Sequence, residues 1–218
     1  MPTQPSESIP PSRDVSAEPP VSGIILAGGR SRVKRGELKA LWPIDGEPLL
    51  ARQIRLMRSW CKEIMVVTDT PRLYLPLVPA DVRIVTDYAK GKGPLGGMAA
   101  GLSLAQLPYA WIVGSRMADL SVPAARLLLA RCAAGRKEAV WPSDSSGPYP
   151  LHGIYACASA GRVVRLFEEG RRGLADLPRF LLWDEVTENE FARHGIAFDF
   201  VRERTAGGAV YPFPADRR

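Results

Sequence analysis

Two glycine-containing segments hold the residue types best suited to chemistry in this 218-residue chain. The first begins at Leu26-Ala27-Gly28-Gly29-Arg30, where an apolar run stops at a glycine pair, and carries Arg32, Lys34, Arg35 and Lys39 behind it. Glycines let backbone N–H groups approach an anion closely, and lysines and arginines neutralise it through charge-assisted hydrogen bonds, so the segment suits phosphate. A solvated basic loop is the plainer alternative, because runs of charge usually face water. The second segment is Gly91-Lys92-Gly93-Pro94-Leu95-Gly96-Gly97. Neither ends in the Gly-Lys-Ser/Thr of a P-loop, and the first loop has adjacent glycines followed by basic residues rather than a dinucleotide G-x-G-x-x-G.

Other reactive residue types have little support. There are two histidines, His152 and His194, there is no G-x-S-x-G elbow, and the serines between Ser143 and Pro148 fall in a turn-like stretch, so Ser/His hydrolysis is not expected. Cys61, Cys132 and Cys157 stand too far apart for a C-x-x-C zinc motif and are expected to pack as small apolar side chains. The tryptophans are spread singly, which favours packing over a base-stacking platform. His152, beside Tyr155, is expected as a packed or pocket-wall histidine.

The elements that must position these residues follow from hydrophobic periodicity. Val21–Ala27 predicts a buried parallel strand ending at the glycine pair, with further strands at Glu63–Thr68, Val82–Thr86 and Tyr109–Gly114. Pro48–Trp60 carries Leu50, Ile54 and Met57 at i, i+4, i+7 and predicts an amphipathic helix. Helices are also expected at Leu95–Gln106, Ser121–Ala134 and Gly161–Gly170, and strands at Glu138–Trp141 and Leu151–Ala156. Strands alternating with helices give an α/β fold of Rossmann-like type, a mostly parallel sheet with helices on both faces and a ligand site at the carboxyl ends of the strands. The reading divides the chain into a Pro/Ser-rich disordered tail at 1–20, a domain at 21–190, and an irregular C-terminal extension at 191–218 with a possible edge strand at Phe198–Arg204.

Taken together, Leu26-Ala27-Gly28-Gly29, Lys39, Gly93-Pro94-Leu95-Gly96-Gly97 ahead of a helix, and Pro150-Leu151-His152-Gly153-Ile154-Tyr155 resemble the molybdenum-cofactor guanylyltransferase family and its nucleotidyltransferase relatives. The similarity runs from about Gly23 to about Leu182. It implies that Leu26, Ala27, Gly28, Gly29 and Arg30 wrap nucleotide phosphates and that Lys39, the candidate catalytic residue, contacts them. It also implies that Gly93, Pro94 and Leu95 lie at base and ribose, with Asp87 as a nucleotide-contacting aspartate. GTP is then the substrate, with a molybdopterin-type acceptor, and Mg²⁺ is expected from the family.

The departures are as informative. Where the family carries a metal-binding aspartate after the fourth strand, the aligned run is Ser115-Arg116-Met117-Ala118, so no metal ligand is assigned and Arg116 joins the nucleotide-binding set. Asp119 stands near enough to be considered as a substitute, but its expected role is a loop residue at the start of the next helix. Val33 and Lys34 replace an arginine-methionine pair, Leu38 replaces the aspartate before the lysine, and the family's late Asn-x-Asn-Thr-Pro segment has no recognisable counterpart.

Two functions remain open on this basis. One is guanylyl transfer from GTP to the cofactor phosphate. The other is a non-catalytic nucleotide- or cofactor-binding protein that kept the anion loop and exchanged the metal for the charge of Arg116. The net charge of +6 and a pI near 9.5 suit anionic ligands of either kind. Nucleic-acid binding ranks lower, because the basic residues crowd one glycine loop rather than a helical stripe. No stretch approaches the roughly 20 apolar residues of a membrane span, no secretory pattern opens the chain, and the sparse cysteines suit a reduced cytoplasm. The sequence does not indicate an oligomeric state.

Overall fold

The apolar run at 21–26 is buried along its whole length because it lies in the middle of a sheet with a layer of helices against each face. A computed structural model describes residues 18–28, 33–34, 37–88, 93–204 and 210–211. In chain order the first part holds β1 (Val21–Leu26), the two-residue ladder β2 (Val33–Lys34) with β3 (Glu37–Leu38), a second ladder β4 (Pro43–Ile44) with β5 (Glu47–Pro48), α1 (Leu49–Arg58), β6 (Glu63–Thr68), the short α2 (Pro71–Tyr74) and β7 (Arg83–Thr86). Next come α3 (Pro94–Leu104), β8 (Tyr109–Gly114), α4 (Val122–Ala134), β9 (Ala139–Asp144), β10 (Gly147–Pro148) and β11 (Gly153–Ala156). The chain closes with α5 (Ala160–Glu168), α6 (Leu177–Phe180), β12 (Trp183–Thr187), α7 (Glu188–Arg193) and the ladder β13 (Glu203–Arg204) with β14 (Val210–Tyr211).

The main sheet runs β10-β9-β11-β8-β1-β6-β7, with β12 added on β9. Its β8-β1-β6-β7 half is wholly parallel, and β11 enters antiparallel between β8 and β9. Neighbouring residues of β1 show the two helical layers: Gly23 faces Met57 and Cys61 at the end of α1, while Ile24, pointing the other way, packs under Gly101 of α3. The predicted α/β architecture is thus observed, including helix α4, whose cap Ser121 accepts a hydrogen bond from Ala124 N (3.2 Å) with Pro123 just inside.

The chain beyond 190 is tied to the core. Thr187 and Glu190 form a capping box for α7, and Phe191, Phe200 and Val201 are buried. Phe198–Val201, expected as part of an edge strand, forms a 3-10 turn instead, because Phe198 and Phe200 both fold onto Phe191 at ring distances of 5.6 and 5.1 Å. Residues 1–17 of the expected tail lie outside the described residues. Within it, Glu18 accepts a hydrogen bond from Trp60 Nε1 (3.1 Å) and lies 3.5 Å from Arg126.

Candidate functional site

The carboxyl ends of β1, β6, β7 and β8 come together along one edge, and the loops leaving them carry most of the predicted residues. The centre of that edge is Leu26-Ala27-Gly28. Leu26 and Ala27 are buried, Ala27 N donates to Val67 O (2.8 Å), and the Tyr74 hydroxyl donates to Ala27 O (2.8 Å), so both neighbours fix the point where the glycine loop departs. Gly29 and Arg30, like Arg32 and Arg35, lie outside the described residues.

On the β6–β7 side, Asp87 follows β7 with its N–H donating to Thr68 O (3.0 Å). Its carboxylate is aimed back at the centre of the edge: Cβ atoms built on Gly28 and Gly97 would lie 3.4 and 3.5 Å from Asp87 Oδ2. Gly93 is the N-cap of α3 at φ +89°, a left-handed conformation, and a side chain there would collide with the carbonyl of Arg172. Pro94 occupies the first turn and Leu95 is buried beneath it. The helix therefore points its N-terminus, whose first N–H groups have no partner within the helix, toward the same end as Asp87 and Gly28.

On the β8 side, Ser115 N donates to Leu26 O (3.1 Å), extending the β1–β8 register into the loop that carries Arg116. That loop is pinned from α1: Gln53 Nε2 donates to Gly114 O (2.8 Å) and Met117 O (3.0 Å), and Arg52 Nε donates to Ala118 O (2.9 Å). Asp119 lies 3.3 Å from Arg52, two residues before the cap of α4, which is the loop role expected of it. Leu151 of the Pro150–Tyr155 segment closes on Gly114 from the other side.

Lys39 opens a 3-10 turn (Lys39–Leu41), is 6% exposed, and holds its ammonium 5.7 Å from the centre of the Trp42 ring. Arg116 pairs with Glu203, Nη2 to Oε2 at 2.6 Å. Glu203 is 8% exposed, and burial pushes its carboxyl above the ordinary value against the pull of Arg116 and Lys39. The structure thus gathers Lys39, Arg116 and Glu203 at one end of the edge and Asp87, Gly93, Pro94 and Leu95 at the other, with Gly28 between them. Glu203, Gln53 and Arg52 were not found from sequence. In the amphipathic α1, Arg52 reads as one more basic residue beside Arg55 and Arg58 and Gln53 as a lone polar residue, and Glu203 lies in a segment with no motif.

The remaining candidates pack. His152 is fully buried between Trp111 and Phe200, and burial pushes its pKa down to about 3. Burial likewise raises the thiols of Cys61, Cys132 and Cys157 to about 12, so none is a thiolate nucleophile at neutral pH.

The donor set at Arg116 does not fit magnesium. Mg²⁺ takes an octahedron of oxygens, whereas this end offers the Glu203 carboxylate already paired with a guanidinium, beside an ammonium. A guanidinium about 4 Å from a divalent ion is repelled by about 8 kcal/mol at an effective dielectric near 20. Among the described residues no group of three or more His, Cys, Asp or Glu side chains could hold a metal.

The family described as the MobA-like NTP transferase domain matches residues 23–185. A probable molybdenum cofactor guanylyltransferase of Chloroflexus aggregans is 34% identical over 169 residues, covering 75% of this chain and 78% of that one. The molybdenum cofactor guanylyltransferase of Desulfosudis oleivorans is 30% identical over 69% of this chain and 73% of its own. The crystal structure of molybdopterin-guanine dinucleotide biosynthesis protein A from Archaeoglobus fulgidus shares the fold, with a TM-score of 0.68 at 16% identity over 83% of this chain and 94% of that chain.

Proposed function

Because the chain belongs to the MobA-like NTP transferase family, we propose that it is a nucleotidyltransferase that moves a GMP unit from GTP onto the phosphate of a molybdopterin-type cofactor. An oxygen of the acceptor phosphate attacks the α-phosphorus, the bond to the β-phosphate breaks, and pyrophosphate leaves. Charge on the transferring group is met by Lys39 and Arg116, the loop at Gly28, Gly29 and Arg30 wraps the phosphates, and Asp87 with Gly93, Pro94 and Leu95 takes ribose and base. The convergence of two cations, one from the glycine loop and one from the end of β8, carries this reading. Protein charge stands at Arg116, where the family resemblance implies a metal ligand, so no step is routed through magnesium at that position.

The likeness to guanylyltransferases over most of the chain favours the enzyme over a non-catalytic binder. A cytoplasmic setting, where free thiols stay reduced, belongs to this proposal. Among the described residues no helix is long and apolar enough to cross a membrane. The test is pyrophosphate release from GTP on supplied molybdopterin, with and without Mg²⁺, beside calorimetric titration of GTP. Wild-type release lowered about 100-fold or more by Lys39→Ala is the expected result. Tight GTP binding without release would return the non-catalytic reading, and release indifferent to Lys39 would move the site elsewhere.

A further inference from the structure

We propose that Glu203 is an internal latch: a carboxylate that sits on the cations of the phosphate end and is exchanged for the phosphates of an incoming nucleotide. The inference rests on the nucleotide site assigned above. Its basis is the geometry of the C-terminal segment. Phe200 and Val201 are buried and anchor the chain in the core, Arg202 is exposed, and Glu203 then turns inward to 8% exposure. The last core anchor is thus only two residues from the carboxylate, so Arg202 and Glu203 can swing away while the fold stays intact.

The pairing is also one that phosphate can take over. Arg116 Nη2 lies 2.6 Å from Glu203 Oε2, and the charge of Lys39 bears on the same carboxylate. A phosphate presents more charge and more acceptor oxygens to a guanidinium than a carboxylate does, and arginine binds both in the same forked geometry. A carboxylate left on Arg116 would repel each arriving phosphate, so occupancy by Glu203 and by nucleotide are mutually exclusive. The segment behind it is slight: β13 is two residues long and pairs only with the equally short β14 among the described residues. The latch therefore sets the affinity of the resting protein for phosphates without touching the base.

Three measurements on the full chain test this: GTP and inorganic pyrophosphate affinity by calorimetry in chelator, the same for Glu203→Gln and Glu203→Ala, and amide exchange at residues 202–204 of the wild type with and without pyrophosphate. The latch predicts that both ligands bind the variants about tenfold tighter or more, a change of about 1.4 kcal/mol, and that pyrophosphate speeds exchange at 202–204. Wild-type binding that is equal to or tighter than the variants', or exchange at 202–204 that pyrophosphate leaves unchanged or slows, overturns the latch while leaving the nucleotide site standing. Should the variants not fold, the wild-type exchange result decides alone. Absence of GTP and pyrophosphate binding in every protein overturns the nucleotide site, and the latch with it.

Discussion

His152 shows how a residue type suggestive of chemistry is absorbed by packing. Its Nε2 accepts the Ser121 N–H at 3.1 Å, which assigns the proton of the neutral ring to Nδ1, and its faces meet Trp111 and Phe200 at 5.0 and 4.5 Å. Because its folded pKa lies near 3, below the ordinary 6.5, the unfolded chain binds the proton more readily. The neutral ring's contribution is therefore complete above pH 6.5 and is lost as pH falls toward 3, by about 2 kcal/mol at pH 5. Urea midpoints should fall between pH 7.5 and 5, and His152→Gln, which keeps an acceptor for Ser121, should flatten that part of the profile; an unchanged slope would show that other groups set it. At this scale Lys39 and Arg116 were legible, because each stands next to a recognisable segment. Glu203 was not, since its meaning comes from the cation it meets across the fold.

Helices were legible where one face differs from the other, as in α1, and also in α3, where composition alone sufficed. All of Leu95 to Leu102 is buried, so α3 has no polar stripe, and its small residues let it lie close on β1 and β6. A Cβ on Gly101 would come within 2.9 Å of Ile24 Cγ2. Gly101→Ala therefore sets a gain in helix propensity of about 1 kcal/mol against an overpacking cost of about 1–3 kcal/mol. The expected net result is a loss of stability in denaturant melts, with weaker nucleotide binding as the N-terminus of α3 shifts. Gly161 in α5 is the control, since a Cβ there meets nothing within 4 Å. Gly161→Ala should be neutral or stabilise by up to about 1 kcal/mol; equal losses at both glycines would mean that close approach is not what Gly101 supplies. The 3-10 turn at Phe198–Val201 was misread as strand because alternating aromatics satisfy a period of two, while the aromatic cluster that receives them is assembled by distant segments.

Across the whole molecule, charge and core divide the work. The parallel β8-β1-β6-β7 half presents the loop edge, while β9, β11 and β12 extend the sheet and carry the chain toward α7 and the Phe191–Phe198–Phe200 cluster. Sequence periodicity weakens past Phe191 because this cluster is built from single aromatics at irregular spacing, each packed against a different element: Phe198 against Tyr149, Phe200 against His152. Its contribution to stability should nonetheless be large. Removing residues 191–218 deletes all three phenylalanines of this cluster, and truncating a buried phenylalanine alone costs about 3–5 kcal/mol, against a total stability of about 5–15 kcal/mol for an ordinary domain. A chain ending at 190 should lose its cooperative thermal transition. One ending at 202 keeps Phe191, Phe200 and Val201 in place and gives up, among the described contacts, the Glu203 pairing and the short β13–β14 ladder, so it should melt within a few degrees of the full chain. Equal collapse of both would place the stabilising contacts after residue 202, and equal survival would show that the aromatic cluster is dispensable. Either result would break the division proposed here, in which the C-terminal segment serves the core as far as Val201 and the phosphate end of the site only beyond it.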